Sequence, residues 1–315
     1  MPFLPRGLND ANSACHPLPE MHGSPMKPKA WLVLPLVLAG LLAGCIEFQT
    51  QTVTFRYDAR GDTLYLFQDY QGILGGEQAD KLSSEEKLQL ASVMNSERTF
   101  FFNNWITEFS RATLAEALSK PKDDSDDAKL DAAFRDYARA SLDTIKVENV
   151  GFYRDKQGHL CGAQRVTVKQ VSRLLPALNI VAREFIRVEA GKEETAPADR
   201  ALSLRFVEQK LNVIELKGNQ LIIRWPFPAG ELAKFKDSAQ GRAFSQSGGR
   251  IELTDGFGVL AIGDVKAEAT SMTLPFSTNA WSDNAIGEAR QFGIKESFDS
   301  ASAAKEFVSP KPDKK

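Results

Sequence analysis

The sequence has little histidine and no excess of positive charge. Three histidines occur in 315 residues, and beyond residue 25 the only one is His159. A zinc site of the His-Glu-x-x-His type needs two histidines, so residues 26–315 cannot contain one. The 39 Lys and Arg residues are balanced by 41 Asp and Glu residues, giving a net charge of -2. Nucleic-acid binding normally requires a basic excess, so we expect no nucleic-acid partner.

Cysteines and long apolar runs are also scarce. The three cysteines are Cys15, Cys45 and Cys161. With 43% hydrophobic and 25% charged residues the composition is typical of a globular protein and excludes several membrane spans. The one long apolar run covers residues 30–46, about 17 residues, and Pro35 and two glycines interrupt it. That length is marginal for crossing a bilayer.

The apolar run has the layout of a secretory signal peptide. A short basic patch at residues 26–29 precedes it, and it ends in Leu42-Ala43-Gly44-Cys45. This segment resembles the lipobox of bacterial lipoproteins, in which an apolar residue and two small residues precede the modified cysteine. The resemblance covers residues 26–45 only. It implies that signal peptidase recognises Leu42, Ala43 and Gly44 and that Cys45 receives the lipid; the alternative is a plain transmembrane anchor with a chance cysteine.

Residues 1–25 do not fit a signal peptide, because they place the basic patch internally and have no apolar period. We interpret them as a mis-annotated leader, with Met26 as the true start. The signal peptide is then residues 26–44, and the folded part begins at Cys45.

The residue after the lipobox-like cysteine predicts the destination. It is Ile46 rather than Asp, which by resemblance to the enteric sorting rule implies the outer membrane. The membrane itself is the first expected partner, through the lipid on Cys45. Only about five residues separate Cys45 from the first predicted strand near Gln51, a reach of at most about 17 Å. We therefore also expect a membrane-proximal envelope protein as a partner.

Alternating apolar residues predict strands, mostly in hairpins closed by turn residues. The predicted strands cover 51–57, 63–68, 144–153, 159–168, 213–216, 220–225, 250–254, 258–263 and 270–276. Gly72, Gly75 and Gly76 are expected to break the chain after the first hairpin. Residues 281–295 show no regular pattern.

Helical spacing predicts the remaining elements. One predicted helix begins at the capping box Ser83-x-x-Glu86, and further predicted helices cover 128–141, 171–188 and 199–211. Pro176 is expected to kink or divide the helix over 171–188. The fold class is therefore α+β, with mainly antiparallel β-hairpins packed with several amphipathic helices. We expect one domain over 45–299, with a possible sub-boundary near 120–127, and a disordered tail over 300–315.

Fragments of several catalytic patterns occur, each with a simpler interpretation. His159 and Cys161 lie two residues apart on a predicted strand, so their side chains share one face and could form an activated thiolate pair. The simpler interpretation is that Cys161 is a buried, inert thiol. Gly256-Phe257-Gly258-Val259-Leu260-Ala261 matches Gly-x-Gly-x-x-Ala, but a hairpin turn is the better interpretation because no helix follows. The acidic run 123–127 lacks the glycine of a calcium loop. The aromatic residues of 100–105 suit a core or a ligand-binding face.

No complete catalytic set emerges, so we expect no catalytic residue, cofactor or metal site. The leading functional interpretation is a lipid-anchored, non-catalytic module for binding, assembly or envelope structure. The alternative is an envelope hydrolase that uses Asp and Glu chemistry, with Asp58, Asp62 and Asp69 as first candidates. Two close carboxylates with separated pKa values in one cavity would favour the hydrolase.

Overall fold

The computed structural model describes residues 46–75, 82–95, 97–99, 109–121, 128–192, 195–277 and 283–309, and its α+β architecture confirms the expected class. The strands are β1 (Ile46–Asp58), β2 (Thr63–Gly75), β3 (Ile145–Arg154), β4 (Leu160–Lys169), β5 (Ile214–Lys217), β6 (Gln220–Trp225), β7 (Arg250–Thr254), β8 (Phe257–Ile262), β9 (Thr270–Pro275) and β10 (Ile294–Lys295). The helices are α1 (Ser84–Asn95), α2 (Arg111–Ser119), α3 (Ala128–Thr144), α4 (Val171–Ala190), α5 (Pro197–Glu208), α6 (Ala229–Asp237), α7 (Ala239–Gln246), α8 (Asn284–Ala289) and α9 (Ser300–Val308).

Six strands form one sheet in the order β10-β3-β4-β2-β1-β9, antiparallel except for the pair β10 and β3. The first hairpin is longer than its sequence pattern predicts, because β1 begins at Ile46 rather than near Gln51. The expectation that Gly72 and Gly75 break the chain is wrong, since both lie in β2. Gly72 has φ +66, and a Cβ there would lie 2.4 Å from Oε1 of Gln49. Glycine therefore accommodates an irregularity inside the strand instead of ending it.

The two faces of this sheet bury different side chains. On one face Val53, Phe55 and Leu66 join the main hydrophobic core, which extends to α4 and to the second sheet. On the other face Phe67 and Cys161 pack beneath α9. The period of two along each strand produces this division, as the alternating patterns predict.

Helix α9 contradicts the expectation of a disordered tail over 300–315. The Asp299 side chain accepts the Ser302 N–H at 3.1 Å, which caps the first turn. Ala304 and Val308 lie four residues apart and are both buried against the large sheet. A cap and two apolar positions on one face suffice to dock a short helix. Residues 310–315 lie outside the described part of the chain.

The second sheet has the order β5-β6-β8-β7 and is antiparallel throughout. Its hairpins agree with prediction, including the turn at Gly218 and Asn219. Helices α6 and α7 precede β7, in a region for which the sequence pattern predicts no helix. Ser238 ends the first and caps the second, accepting the Gly241 N–H at 3.0 Å. Each helix has under ten residues, so its periodicity is too short to stand out in the sequence. Residues 283–295, predicted as irregular, contain α8, a 3-10 turn and β10.

The longer helices agree with prediction. At α1 the Ser83 hydroxyl accepts the Glu86 N–H at 3.2 Å and Glu86 accepts the Ser83 N–H at 2.6 Å, the expected capping box. Pro176 lies inside α4 and does not divide it. The buried face of α4 continues on both sides of Pro176, at Leu174 and Val181, so packing outweighs one lost hydrogen bond. Among the described residues, no helix is long and apolar enough to span a bilayer.

Candidate functional site

The lipobox-like residues Leu42, Ala43, Gly44 and Cys45 lie outside the described residues, and Ile46, the next residue, is the first that the structure describes. Ile46 is the first residue of β1, pairs with Gly75 and is 3% exposed. The expected five-residue tether between Cys45 and the first strand is therefore wrong. Any group attached to Cys45 sits one residue from the large sheet.

Two of the candidate acids, Asp58 and Asp62, hold the β1–β2 turn. Asp58 accepts the Arg60 N–H at 3.1 Å. Asp62 accepts the Tyr57 hydroxyl at 3.0 Å and the Ser172 hydroxyl at 2.6 Å. Burial raises the pKa of Asp62, but the hydrogen bonds from Ser172 and Tyr57 outweigh it, so its pKa lies below the ordinary value. This carboxylate therefore ties the turn to the first residues of α4.

The third candidate acid, Asp69, belongs to a buried polar cluster beneath α9. Its carboxyl group accepts the Tyr153 hydroxyl at 2.6 Å and the Gln71 amide at 3.0 Å, and Ser300 at the start of α9 also hydrogen-bonds to it. Burial raises the pKa of Asp69 despite these hydrogen bonds. Burial first, and then the charge of Asp69, raise the pKa of Tyr153. The cluster fixes α9 on the sheet.

The structure does not join His159 and Cys161 into a thiolate pair. The His159 ring lies 3.1 Å from Asp155 Oδ2, at the β3–β4 turn. The Cys161 sulfur instead lies 3.7 Å from the His159 carbonyl oxygen and is fully buried. Burial is the largest of the influences that raise the Cys161 thiol pKa to about 12. A thiol in that environment stays protonated, in agreement with the buried inert thiol.

The three remaining sequence fragments have structural roles or lie outside the described residues. Gly256 forms the turn between β7 and β8, and the next residues are strand, so the Gly-x-Gly-x-x-Ala match is a hairpin as expected. Residues 100–105 and 123–127 lie outside the described part of the chain. Within the described part, no three His, Cys, Asp or Glu side chains are grouped to hold a metal ion.

A groove that the sequence does not predict separates α4 from the edge strand β5. Its volume is about 460 Å³. Leu175, Pro176 and Ile180 form its helical wall, and the opposite wall is β5 with the preceding Asn212. Ile180 is 47% exposed, a large fraction for an isoleucine beside a core. The groove forms where β5 lies beside α4, and these two segments are far apart in the chain. No local sequence pattern could therefore have indicated it.

Polar side chains line the same groove. Asn179 lies at its base, 3% exposed, and bonds the main chain of Ile214. Burial is the largest single influence on Glu215 and raises its pKa. Arg224 and Lys217 beside it together outweigh burial, so the pKa of Glu215 lies below its ordinary value. The Arg183 guanidinium donates long hydrogen bonds to the Leu211 carbonyl, at 3.3 Å, and to Asn212, at 3.4 Å.

The candidate acids do not converge on a cavity. The groove contains one carboxylate, Glu215, and a second cavity of about 410 Å³ beside β9 contains Asp264. Asp58, Asp62 and Asp69 line neither.

Comparison with protein-family models, with curated proteins and with solved structures finds no match for this chain. A function therefore has to follow from its own residues and geometry.

Proposed function

We propose that this is a lipid-anchored protein of the bacterial cell envelope, and that its folded part is a non-catalytic module for binding, assembly or envelope structure. One observation carries the proposal. The signal-like segment ends in Leu42-Ala43-Gly44-Cys45, and the first strand begins at the next residue, Ile46. Every described residue of the sheet lies after Cys45, so cleavage before Cys45 would leave all of them in the mature protein.

The identity of Ile46 supports an outer-membrane location within this proposal. In the enteric bacterial system, an Asp directly after the lipidated cysteine resembles an inner-membrane retention signal. This chain has isoleucine at that position.

The anchor geometry supports a membrane-proximal partner. Ile46 packs in a hydrophobic cluster with Phe48 and Tyr70, so the strand cannot peel away without exposing apolar surface. A lipid on Cys45 would hold that end of the large sheet against the bilayer. A neighbouring envelope protein in the same leaflet is then within reach of the loops at this end.

The bonding of the candidate acids supports a non-catalytic module over an Asp/Glu hydrolase. Asp62 fixes a turn to a helix, and Asp69 fixes a helix to a sheet. Each carboxylate has a structural task, and a hydrolase needs two of them facing one substrate.

Labelling with palmitate in the native host tests the anchor. Cys45→Ser should abolish acyl labelling and leave an unprocessed precursor, because the sulfur is the acylation site. Cys161→Ala is the matched control and should keep both labelling and processing. Normal palmitate incorporation in Cys45→Ser would overturn the proposal.

A further inference from the structure

Strand β5 is an edge strand whose outer main-chain groups face the α4–β5 groove. It pairs with β6 on one side, Ile214 lying opposite Ile223 and Leu216 opposite Leu221. The Arg224 N–H donates to the Val213 carbonyl at 2.7 Å, which marks that pair as hydrogen-bonded. Hydrogen-bonded and non-hydrogen-bonded pairs alternate along an antiparallel ladder. The N–H and C=O groups of Ile214 and Leu216 therefore point away from β6.

Asn179 of α4 already bonds the first of these outward residues as a neighbouring strand would. Its Oδ1 accepts the Ile214 N–H at 2.9 Å, and its Nδ2 donates to the Ile214 carbonyl at 2.8 Å. Donating to and accepting from one residue is the arrangement of a hydrogen-bonded strand pair. Within the described part of the chain, no hydrogen bond reaches the outward N–H or C=O of Leu216. The outward main-chain groups of Ile214 are therefore already hydrogen-bonded, whereas those of Leu216 have no partner among the described residues.

The charge of the groove favours an acidic ligand. Two cations line it, Arg183 and Lys217, against one carboxylate, Glu215. Lys217 and Arg224 both pair with Glu215, whereas no carboxylate of the described residues forms an ion pair with Arg183. The charge of neighbouring Glu184 acts on the Arg183 guanidinium, but Glu184 itself pairs with Arg187. A carboxylate that matches the planar donors of Arg183 would therefore add an ion pair.

We propose that the α4–β5 groove binds an extended peptide segment of a partner protein, its main chain paired with Leu216 and an acidic side chain paired with Arg183. Four residues of extended chain cover about 13 Å, enough to pass from Leu216 along β5 towards Asn212, beside which Arg183 lies. The exposed Ile180 and the half-buried Leu175 line the same groove and would contact apolar side chains of the segment. This is strand addition to a sheet edge, in which main-chain bonds supply affinity and side-chain contacts supply specificity.

The groove lies at the end of the molecule opposite the proposed anchor. The Tyr57 N–H donates to Asn219 in the β5–β6 turn at 2.6 Å, and Tyr57 is the last residue but one of β1. The 13 residues of β1 extend over roughly 40 Å from Ile46. The groove would therefore bind a partner other than the membrane-proximal neighbour proposed above. It adds a partner class to the proposed binding module and does not depend on lipid attachment, so the two proposals can fail separately.

A random 12-residue peptide library displayed on phage, with no free carboxyl terminus, is the probe. The full-length protein is purified in detergent and used for selection, and enriched peptides are synthesised with amidated ends. We expect enrichment of Asp or Glu flanked by alternating apolar residues. Arg183→Glu should weaken binding at least tenfold, and replacing the acidic residue of the peptide by Lys should restore binding to that variant. Arg173→Glu, at an exposed position of the same helix, should change binding less than twofold.

Methylation of the peptide backbone tests strand pairing without altering the protein. N-methylation should weaken binding at the one peptide position whose N–H donates to the Leu216 carbonyl and not at the two positions beside it, because Asn179 already occupies the outward groups of Ile214. Ile180→Ser should weaken binding with no loss of folding, because the side chain is already half exposed. The proposal is overturned by a selection that enriches no peptide, by equal binding to wild type and Arg183→Glu, or by a dimer of the chain that buries this edge.

Discussion

The Tyr153 hydroxyl donates a 2.6 Å hydrogen bond to Asp69 across an intervening strand. Asp69 lies in β2 and Tyr153 in β3, and β4 runs between them with Ala163 directly opposite Asp69. Because the alanine side chain is one methyl group, the two longer side chains meet above it. Ser300 of α9 also hydrogen-bonds to Asp69, so one carboxyl group joins two strands, β2 and β3, and a helix.

Removing the hydroxyl of this pair should destabilise the fold. Tyr153→Phe leaves the ring in place and deletes one donor to a buried carboxyl group, so we expect a loss of about 1–3 kcal/mol in unfolding free energy. Urea denaturation measures it. Tyr57→Phe is the matched control, since it deletes the Tyr57–Asp62 bond at the more exposed end of β1. Equal losses in the two variants would contradict a special role for the buried pair.

The pH dependence of stability should identify Asp69. Its pKa is raised above 3.8 in the folded state by burial, so its contribution is fully present below pH 3.8 and is lost as pH rises through the folded-state pKa. Asparagine does not titrate. The unfolding free energy of Asp69→Asn minus that of wild type should therefore become more positive as pH rises from about 3, and then level off.

Asp62→Asn is the control of opposite sign. The pKa of Asp62 is lowered below 3.8 by hydrogen bonds that outweigh burial, so its contribution is present above pH 3.8 and is lost as pH falls. The same difference for Asp62→Asn should become more negative as pH rises over this range. Parallel slopes for the two variants would show that these carboxyl groups do not have the opposite environments described.

Local signals predicted the elements that local chemistry determines. The Ser83 and Glu86 capping box and the Gly218-Asn219 turn each depend on residues within four positions of one another. The hairpins followed from the period-two pattern and the turn residues between the strands. Helices under ten residues, such as α7 and α9, have only about two turns of periodicity. Their formation depends instead on caps and on packing against the rest of the fold.

The site features depend on residues far apart in the chain. Asp69 was a candidate acid from its position near a hairpin, but its partner Tyr153 lies 84 residues away. The groove requires Asn179 to reach Ile214, 35 residues further on. Neither contact has a sequence pattern, because each follows from how the two sheets and α4 pack together.

The buried ion pair of α3 should be far more important for stability than its exposed neighbour. Asp131 and Arg135 are 2.7 Å apart, with side chains 3% and 6% exposed. Arg135 also donates to the carbonyls of Leu118, Lys120 and Pro121, on the other side of residues 122–127. Arg135→Met strands a buried carboxylate and three carbonyls, so we expect a loss of about 3–5 kcal/mol in unfolding free energy.

Arg139→Met is the matched control on the same helix. Arg139 and Asp136 form an exposed pair at 3.0 Å, which should contribute less than about 1 kcal/mol. Thermal or urea denaturation of both variants measures the contrast. If Arg135→Met loses no more unfolding free energy than Arg139→Met, the buried ion pair does not have the importance for stability described here.

The Cys161 thiol should be inert in the folded protein. Its pKa is raised to about 12, chiefly by burial, so almost no thiolate exists near pH 8. Iodoacetamide labelling, read by mass spectrometry of the peptide containing Cys161, should be slow in native protein and rapid in guanidinium. Rapid native labelling would show that α9 opens often or that the thiol is not enclosed.

The last prediction concerns the distance between the anchor and the sheet. A flexible insertion after Glu47 would break β1, because Glu47 pairs with Leu74 inside the sheet. The insertion therefore belongs between Cys45 and Ile46, and it should start with an extra isoleucine so that the residue after the cysteine is unchanged. About 20 Gly/Ser residues would let the body move roughly 25 Å from the bilayer. If the proposed membrane-proximal partner is correct, crosslinks to membrane-embedded neighbours should weaken while the unfolding midpoint stays unchanged. An insertion of two residues is the control and should keep the crosslinks; equal crosslinking with both insertions would rule out proximity as a requirement.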